Sequence, residues 1–488
     1  MNRMRLSLLL FSIILPTLAE DRPNIVVILA DDLGYGDVQH LNQKSVIPTP
    51  NLNRLAEEGM TFTDAHSPSA VCTPTRYGLL TGRYCWRTKL KRGVLNGYGR
   101  SLIQPDRRTL AHVLQSAGYK TGIVGKWHLG LDFILTGNNN ESIDYSKPVS
   151  RGPKSYGFDF SYIIPASLDF PPYVYIKNHQ ITQFPSATQE AWRFPAFVRK
   201  GPRSPVFRMA DALDHLIQEA VTFIHDKSEK KSPFFLYLPL TGPHKPVLPH
   251  PRFLGKTEAG LYGDFVHQVD WSVGQINQAI QKAGIKDKTL VIFTSDNGSF
   301  MYRENDPSKP DHLDTSSVQA FHSETHTANH VYRGTKADIW EAGHRVPFFV
   351  RWPGRIRPES RSKTPICHTD ILATCAAAAG VKTESGVGPD SFSLMPELIA
   401  PSGFVSDHPP IINHSAGGMF AIREGQWKLV LGNGSGGRQQ PKGKPFGKPF
   451  QLFDLSRDSG ETFSLATDRP DIVQDLTSKF YKIAGSDL

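Results

Sequence analysis

Cysteine is scarce in this chain: 488 residues carry only Cys72, Cys85, Cys367 and Cys375. So few thiols exclude a disulfide framework, and stability must come from a hydrophobic core. Beyond the first 19 residues there is no apolar run long enough to cross a bilayer, so no stable membrane span is expected. The formal charge of +9, 55 basic against 46 acidic residues, is dispersed without a long basic run. That pattern describes a mildly basic solvated surface, and with no nucleic-acid motif present it predicts no nucleic-acid partner. Internal repeats are also lacking.

What is present begins with a leader. Arg3 and Arg5 precede the apolar run Leu6 to Leu15, and Thr17-Leu18-Ala19 offers small residues for cleavage. Residues 1–19 therefore read as a secretory signal peptide, which predicts an exported protein, periplasmic or secreted. The hydrophobic content of 39% is ample for one large domain with a smaller companion.

The mature chain opens with Asn24 to Ala30, an unbroken apolar run rich in β-branched residues and ending in Asp31-Asp32. A run without alternation reads as a strand buried on both faces of a parallel sheet. Three further apolar runs also end in polar groups: Lys120 to Val124 before Lys126 and His128, Pro233 to Leu238 before His244, and Thr289 to Thr294 before Asp296-Asn297. Helical periodicity marks Asn51 to Glu58, Thr109 to Ala117, Ala212 to Asp226 and Asp264 to Ala283 between them. Alternating strands and helices predict a doubly wound α/β sheet, with ligands outside the carboxyl ends of its strands. All four polar ends would then face one crevice.

The segment from Cys72 to Arg83 carries the most specific signal. Pro74 suits the first turn of a helix, which puts Cys72 at the helix N-terminus with Arg76 one turn on, a setting that favours a reactive position. Residues 300 to 330 read as a long surface loop near the site, including His322 and His326. A strand is expected near Gly343 to Val350 and a helix from Asp370 to Gly380. Beyond about residue 400, strands at Met419 to Ile422, Trp427 to Leu431 and Phe450 to Leu455 and a helix at Asp471 to Tyr481 describe a small α+β subdomain. Gly432 to Lys448, dense in Gly, Lys and Pro, reads as a flexible insertion. The expected division is 1–19 signal peptide, 20–400 catalytic domain and 401–488 C-terminal subdomain.

Cys72-Thr73-Pro74-Thr75-Arg76 followed by Leu80-Thr81-Gly82-Arg83 resembles the signature of the type I sulfatases of the alkaline-phosphatase-like superfamily. From about Arg22 onward the chain is similar to that family, and Phe453-Asp454-Leu455 with Gly460-Glu461-Thr462 resembles its C-terminal signature. Two departures, Ala342 where a second Gly is common and Ser464 in place of Asn, touch none of the proposed chemistry. The resemblance implies a mixed, mostly parallel sheet flanked by helices. It implies that Cys72 is oxidised to formylglycine by a formylglycine-generating enzyme, and that Asp31, Asp32, Cys72, Asp296 and Asn297 hold Ca²⁺, with Mg²⁺ an alternative. Arg76, Lys126, His128, His244 and Lys336 match the family's catalytic and sulfate-binding residues. Hard oxygen donors suit such cations. The expected activity is hydrolysis of a sulfate ester on a sulfated mono-, oligo- or polysaccharide, His244 with Lys336 acting as acid and His128 as base. The alternatives are a phosphodiesterase or phosphonate hydrolase of the same superfamily, or a sulfated-glycan-binding pseudoenzyme. Ser167 to Tyr173, the loop around His322 and His326, and the 432–448 insertion are candidates to line a sugar subsite.

Overall fold

The computed structural model describes residues 22–230, 232–303, 306–314, 318–319, 321, 324–401, 404 and 406–488. The leader and His322 lie outside the described residues.

A ten-stranded sheet organises the chain, in the order Ser360–Ser362, Met60–Phe62, Phe348–Arg351, Thr289–Ser295, Asn24–Asp31, Phe234–Pro243, Lys120–Lys126, Phe160–Ile164, Ile176–Lys177, Gln180–Ile181. Its centre is parallel: Asn24–Asp31 pairs with Phe234–Pro243 on one side and Thr289–Ser295 on the other, and Lys120–Lys126 and Phe160–Ile164 continue in the same direction. Phe348–Arg351 joins antiparallel, as do the two short strands at the far edge. The fold is thus the mixed, mostly parallel α/β sheet the sequence predicts.

The central strands lack polar alternation because both faces are covered. Val26, Ile28 and Ala30 pack with Leu216, Ile217, Val266 and Val269 of the helices Ala212–Ser228 and Gly260–Lys282. Ile25, Val27 and Leu29 point the other way, into a core with Leu79, Leu80, Leu110, Leu114 and Ile371 from the helices Cys72–Thr81, Leu110–Ser116 and Asp370–Ala378. Fully burying each such side chain contributes about 1.5–3 kcal/mol.

A second, four-stranded antiparallel sheet, Ile411–His414, Phe420–Glu424, Trp427–Val430 and Gln451–Asp454, carries the closing helix Pro470–Ala484 on one face through Leu476 and Phe480. Tyr84 and Trp86, just after the Cys72 helix, belong to the same cluster and fasten this unit to the main one. A buried charge cluster does the same: the Lys428 ammonium lies 2.7 Å from Glu461 and 3.1 Å from Glu341, while Glu461 also accepts from the Glu341 backbone N–H at 2.6 Å.

Two expectations need correction. The described part of 300–330 is not wholly a surface loop: Phe300, Met301, Leu313 and Ala328 are buried in the core, and His326 Nε2 lies 2.8 Å from Asp37. Nor is 432–448 a free insertion, because Ser435, Gly436 and Gln439 are bonded into the body of the protein and an added side-chain carbon on Gly432 would meet Met419 at 1.9 Å. Polar composition concealed both, since a few buried side chains hold the first and backbone groups the second. All four cysteines are free and buried. Among the described residues, no helix is long and apolar enough to cross a membrane.

Candidate active site

Parallel pairing gathers the polar strand ends on one edge. Asp31 is the last residue of its strand, and Asp32 follows in a left-handed conformation, φ 65°. Lys126 ends its own strand and is followed closely by His128, φ 57°. His244 follows Pro243, and Asp296 and Asn297 follow Ser295. Positive φ on Asp32 and His128 is the kind of local strain that concentrates at functional positions. Gly298, next in line, cannot carry a side chain: an added carbon would stand 1.7 Å from the Ala342 carbonyl oxygen.

The Cys72–Thr81 helix delivers the thiol. Val71 is extended and Cys72 is the first helical residue, while Gly82 closes the helix at φ 57°. Cys72 Sγ lies 3.8 Å from Asp31 Oδ1 and 3.6 Å from the Lys336 ammonium. Arg76 donates to Asp296 Oδ2 at 3.0 and 2.7 Å and to the Lys126 carbonyl at 3.0 Å, and its guanidinium lies 3.6 Å from Asp31 Oδ1. Burial, only partly offset by Lys126 and Lys336, pushes the thiol up to about 12. The activated thiolate that the helix start and Arg76 would favour is therefore not what the surroundings support.

Carboxylates and ammonium groups pair off. Lys126 Nζ reaches both oxygens of Asp31 at 2.9 and 2.7 Å, and Lys336 Nζ both oxygens of Asp32 at 2.6 and 2.7 Å. Burial, opposed by Lys126, raises the Asp31 carboxyl to about 7. Asp296 is held below the usual range because Arg76 and Lys126 outweigh its burial.

Both histidines are disfavoured as cations. Burial, reinforced by Lys126 and Arg76, lowers His128 far below its ordinary pKa; its Nε2 donates to the Leu95 carbonyl at 2.8 Å, and its Nδ1 is buried without a partner. Burial and Lys336 do the same to His244, whose Nδ1 donates to the Lys245 carbonyl at 2.5 Å and whose Nε2 faces Asp32 Oδ2 at 3.7 Å. Each ring thus keeps one bare acceptor nitrogen.

The fit to a divalent cation rests on the donors. Ligand atoms of Asp31, Asp32, Cys72 and His244 lie within 4.8 Å of one another. Asn297 gives its amide N–H to Asp32 Oδ1 at 2.7 Å, which leaves its Oδ1 buried and unpartnered. A buried acceptor without a donor is costly unless a cation completes it. Three carboxylates and an amide oxygen around fixed cations can hold a metal and a tetrahedral oxyanion together.

All ten residues singled out in the sequence lie at this edge. Sequence reading missed the supports: the Leu95 carbonyl, and Asp338, which accepts from the backbone of Thr335, Arg438 and Gln439 and so anchors the Lys336 loop. Only the Gly-rich stretch before Arg438 hinted at a close approach. Of the subsite candidates, Asp169 is buried with Oδ1 unpartnered, and Phe170 packs 5.9 Å from the His128 ring. A separate cavity of about 1020 Å³, lined by Lys44, Arg303, Arg333 and Arg457 among others, includes none of these catalytic candidates.

Comparison with known proteins agrees with this geometry. The family model described as Sulfatase matches residues 23–381. The N-acetylgalactosamine-6-O-sulfatase of Bacteroides thetaiotaomicron is 32% identical over 497 residues, covering 93% of this chain and 92% of its own. A solved structure from the same organism, described under the metabolism of multiple glycosaminoglycans, is 32% identical with a TM-score of 0.81, over 95% of this chain and 99% of that one. The phosphonate monoester hydrolase of Agrobacterium radiobacter is 18% identical with a TM-score of 0.62 over 96% of each chain, a likeness of fold.

Proposed function

From the premise that this chain belongs to the type I sulfatases of the alkaline-phosphatase-like superfamily, enzymes that hydrolyse sulfuric esters, we propose that it releases sulfate from a sulfated carbohydrate. The observation that carries this reading is the meeting of Cys72, three aspartates, Arg76, Lys126 and Lys336 at one buried edge. The substrate class follows the relative named for N-acetylgalactosamine 6-sulfate.

Asp31, Asp32, Asp296 and Asn297, with the group at position 72, would hold Ca²⁺ or Mg²⁺, which supplies neutralisation of the sulfate charge. Formylglycine made from Cys72 by a formylglycine-generating enzyme would supply, once hydrated, the hydroxyl that attacks sulfur. The protein's own residues divide the remaining work. Lys126 and Lys336 are fixed by Asp31 and Asp32 and bind sulfate oxygens by charge. Arg76 locks Asp296 in position. His128, with Nδ1 bare, would serve as the base toward the group at position 72. A sugar alkoxide leaves poorly, so its oxygen must be protonated. His244 and Lys336 stand together for this: Lys336 is held protonated because Asp32 outweighs its burial, and the ester's negative charge works to protonate His244.

In this reading residues 20–400 form the catalytic domain, 401–488 the subdomain that completes it, and 1–19 direct export to the periplasm or beyond. The phosphoryl alternative is carried by likeness of fold alone, and a glycan-binding pseudoenzyme would have no use for the full set of catalytic positions. Assaying sulfated mono- and oligosaccharides beside phosphate mono- and diesters tests the proposal. Sulfate release with little phosphate turnover supports it, and the reverse order overturns it.

A further inference from the structure

One cation beside the site has no protein counterpart in the chemistry above. Arg438 comes from the segment 432–439, far in sequence from the strand ends. Its backbone N–H and that of Gln439 donate to Asp338 at 2.5 and 3.0 Å, two residues from Lys336. The contact is close: a side-chain carbon on Gly437 would stand 2.4 Å from both the Ala337 carbonyl oxygen and Asp338. The guanidinium consequently lies within electrostatic reach of Asp32 and Cys72.

The other site cations are matched by carboxylates, Arg76 with Asp296, Lys126 with Asp31 and Lys336 with Asp32. Among the described residues, Arg438 Nη1 is buried with no hydrogen-bond partner. A buried charged donor left without a hydrogen bond is costly, and a ligand anion would remove that cost. Lys245, next to His244, extends the same positive field. Among the described residues its ammonium meets the Gln319 amide oxygen at 3.1 Å and the face of Phe197 at 4.8 Å. Burial, with Lys336 and Arg438 nearby, pulls it down to about 8. The nearby carboxylate of Asp169 gives Oδ2 to Arg199 at 2.7 Å while its Oδ1 stays buried and unpartnered among the described residues, and Arg199 also covers Phe170 and Phe197 at 4.0 and 5.0 Å. Phe170 and Phe197 are capped by these cations, and Arg438 and Lys245 bring positive charge beyond the pairs that hold Asp31, Asp32 and Asp296.

We propose that Arg438, with Lys245 beside it, forms a second anion-binding subsite next to the scissile ester, so that the preferred substrate carries a second anionic group, a uronate carboxylate or a further sulfate, close to the sulfate that is cleaved. This deepens the sulfatase reading and rests on it.

The test compares four substrates: an aryl sulfate, a neutral disaccharide bearing one sulfate, the same sulfated sugar joined to a uronate, and the same sugar with two sulfates. In the wild-type enzyme kcat/KM on the better double-anion substrate exceeds that on the singly charged disaccharide about ten-fold or more. The arm that gains identifies the anion. Arg438→Gln abolishes most of this preference through KM, and Arg438→Lys retains part of it. Calorimetric titration of the same disaccharides into Cys72→Ala chains, with and without Arg438→Gln, measures the preference without turnover. Equal losses on all substrates, or no wild-type preference in either measurement, would overturn the subsite. Sulfate release without preference leaves the sulfatase reading standing while the subsite falls. Arg438-dependent binding without sulfate release from any substrate does the opposite.

Discussion

Single residues at the strand ends have separable jobs, and two substitutions read them apart. A nitrophenol leaves without protonation and a sugar hydroxyl does not. His244→Ala should therefore lower sugar-sulfate turnover about 10²- to 10⁴-fold more than turnover of an activated aryl sulfate. Lys126→Ala removes charge from the sulfate itself and should harm both alike. Equal losses for His244→Ala would move that ring to sulfate binding and leave Lys336 as the proton donor. Asp296 is bound to Arg76 at 2.7 Å and both side chains are fully buried. Asp296→Ala should lose bound metal and activity together, as measured by elemental analysis alongside turnover. Retention of one equivalent of Ca²⁺ or Mg²⁺ would remove Asp296 from the ligand set.

At the scale of elements, the four central strands were legible because burial on both faces leaves a continuous apolar run, and their polar ends were legible by contrast with it. The antiparallel direction of Phe348–Arg351 was not, since a short apolar run carries no sign of orientation. The seat of Arg438 was not either: Gly434 to Gly437 offers no periodicity, and its bonds reach back about a hundred residues to Asp338. Glu461 was visible in the C-terminal signature, but its purpose needed coordinates. It shares the Lys428 ammonium with Glu341 across the two sheets. Lys428→Met should destabilise the protein by about 3–5 kcal/mol, because it strands buried carboxylates. Denaturant unfolding measures this, and a loss below about 1 kcal/mol would mean the carboxylates are satisfied elsewhere. A second clasp depends on pH. Burial works against a charged His408, but Asp370 at 2.9 Å, in the first turn of the Asp370–Ala378 helix, outweighs it and raises the pKa. Its stabilisation is complete below the unfolded value of about 6.5 and is lost as pH rises through the higher folded value. The difference in melting temperature between wild type and His408→Gln should accordingly shrink from pH 5.5 to pH 8, and a constant difference would contradict the pairing.

Across the whole molecule, parallel topology supplies one polar edge and the C-terminal unit completes it. The main sheet alone gives the carboxylates, Lys126 and both histidines, while the 432–439 segment fixes the Lys336 loop through Asp338 and presents Arg438. Cys72 at the start of its helix is where these parts meet. Sulfate release by this edge requires that residue to be the nucleophile once oxidised. The decisive measurement is sulfate released from a sulfated saccharide, by ion chromatography, across preparations in which intact-mass spectrometry gives the fraction of chains with Cys72 converted from thiol to aldehyde. Sulfate release should rise in proportion to that fraction and vanish in Cys72→Ala. Full activity in a preparation carrying only unmodified Cys72 would contradict it.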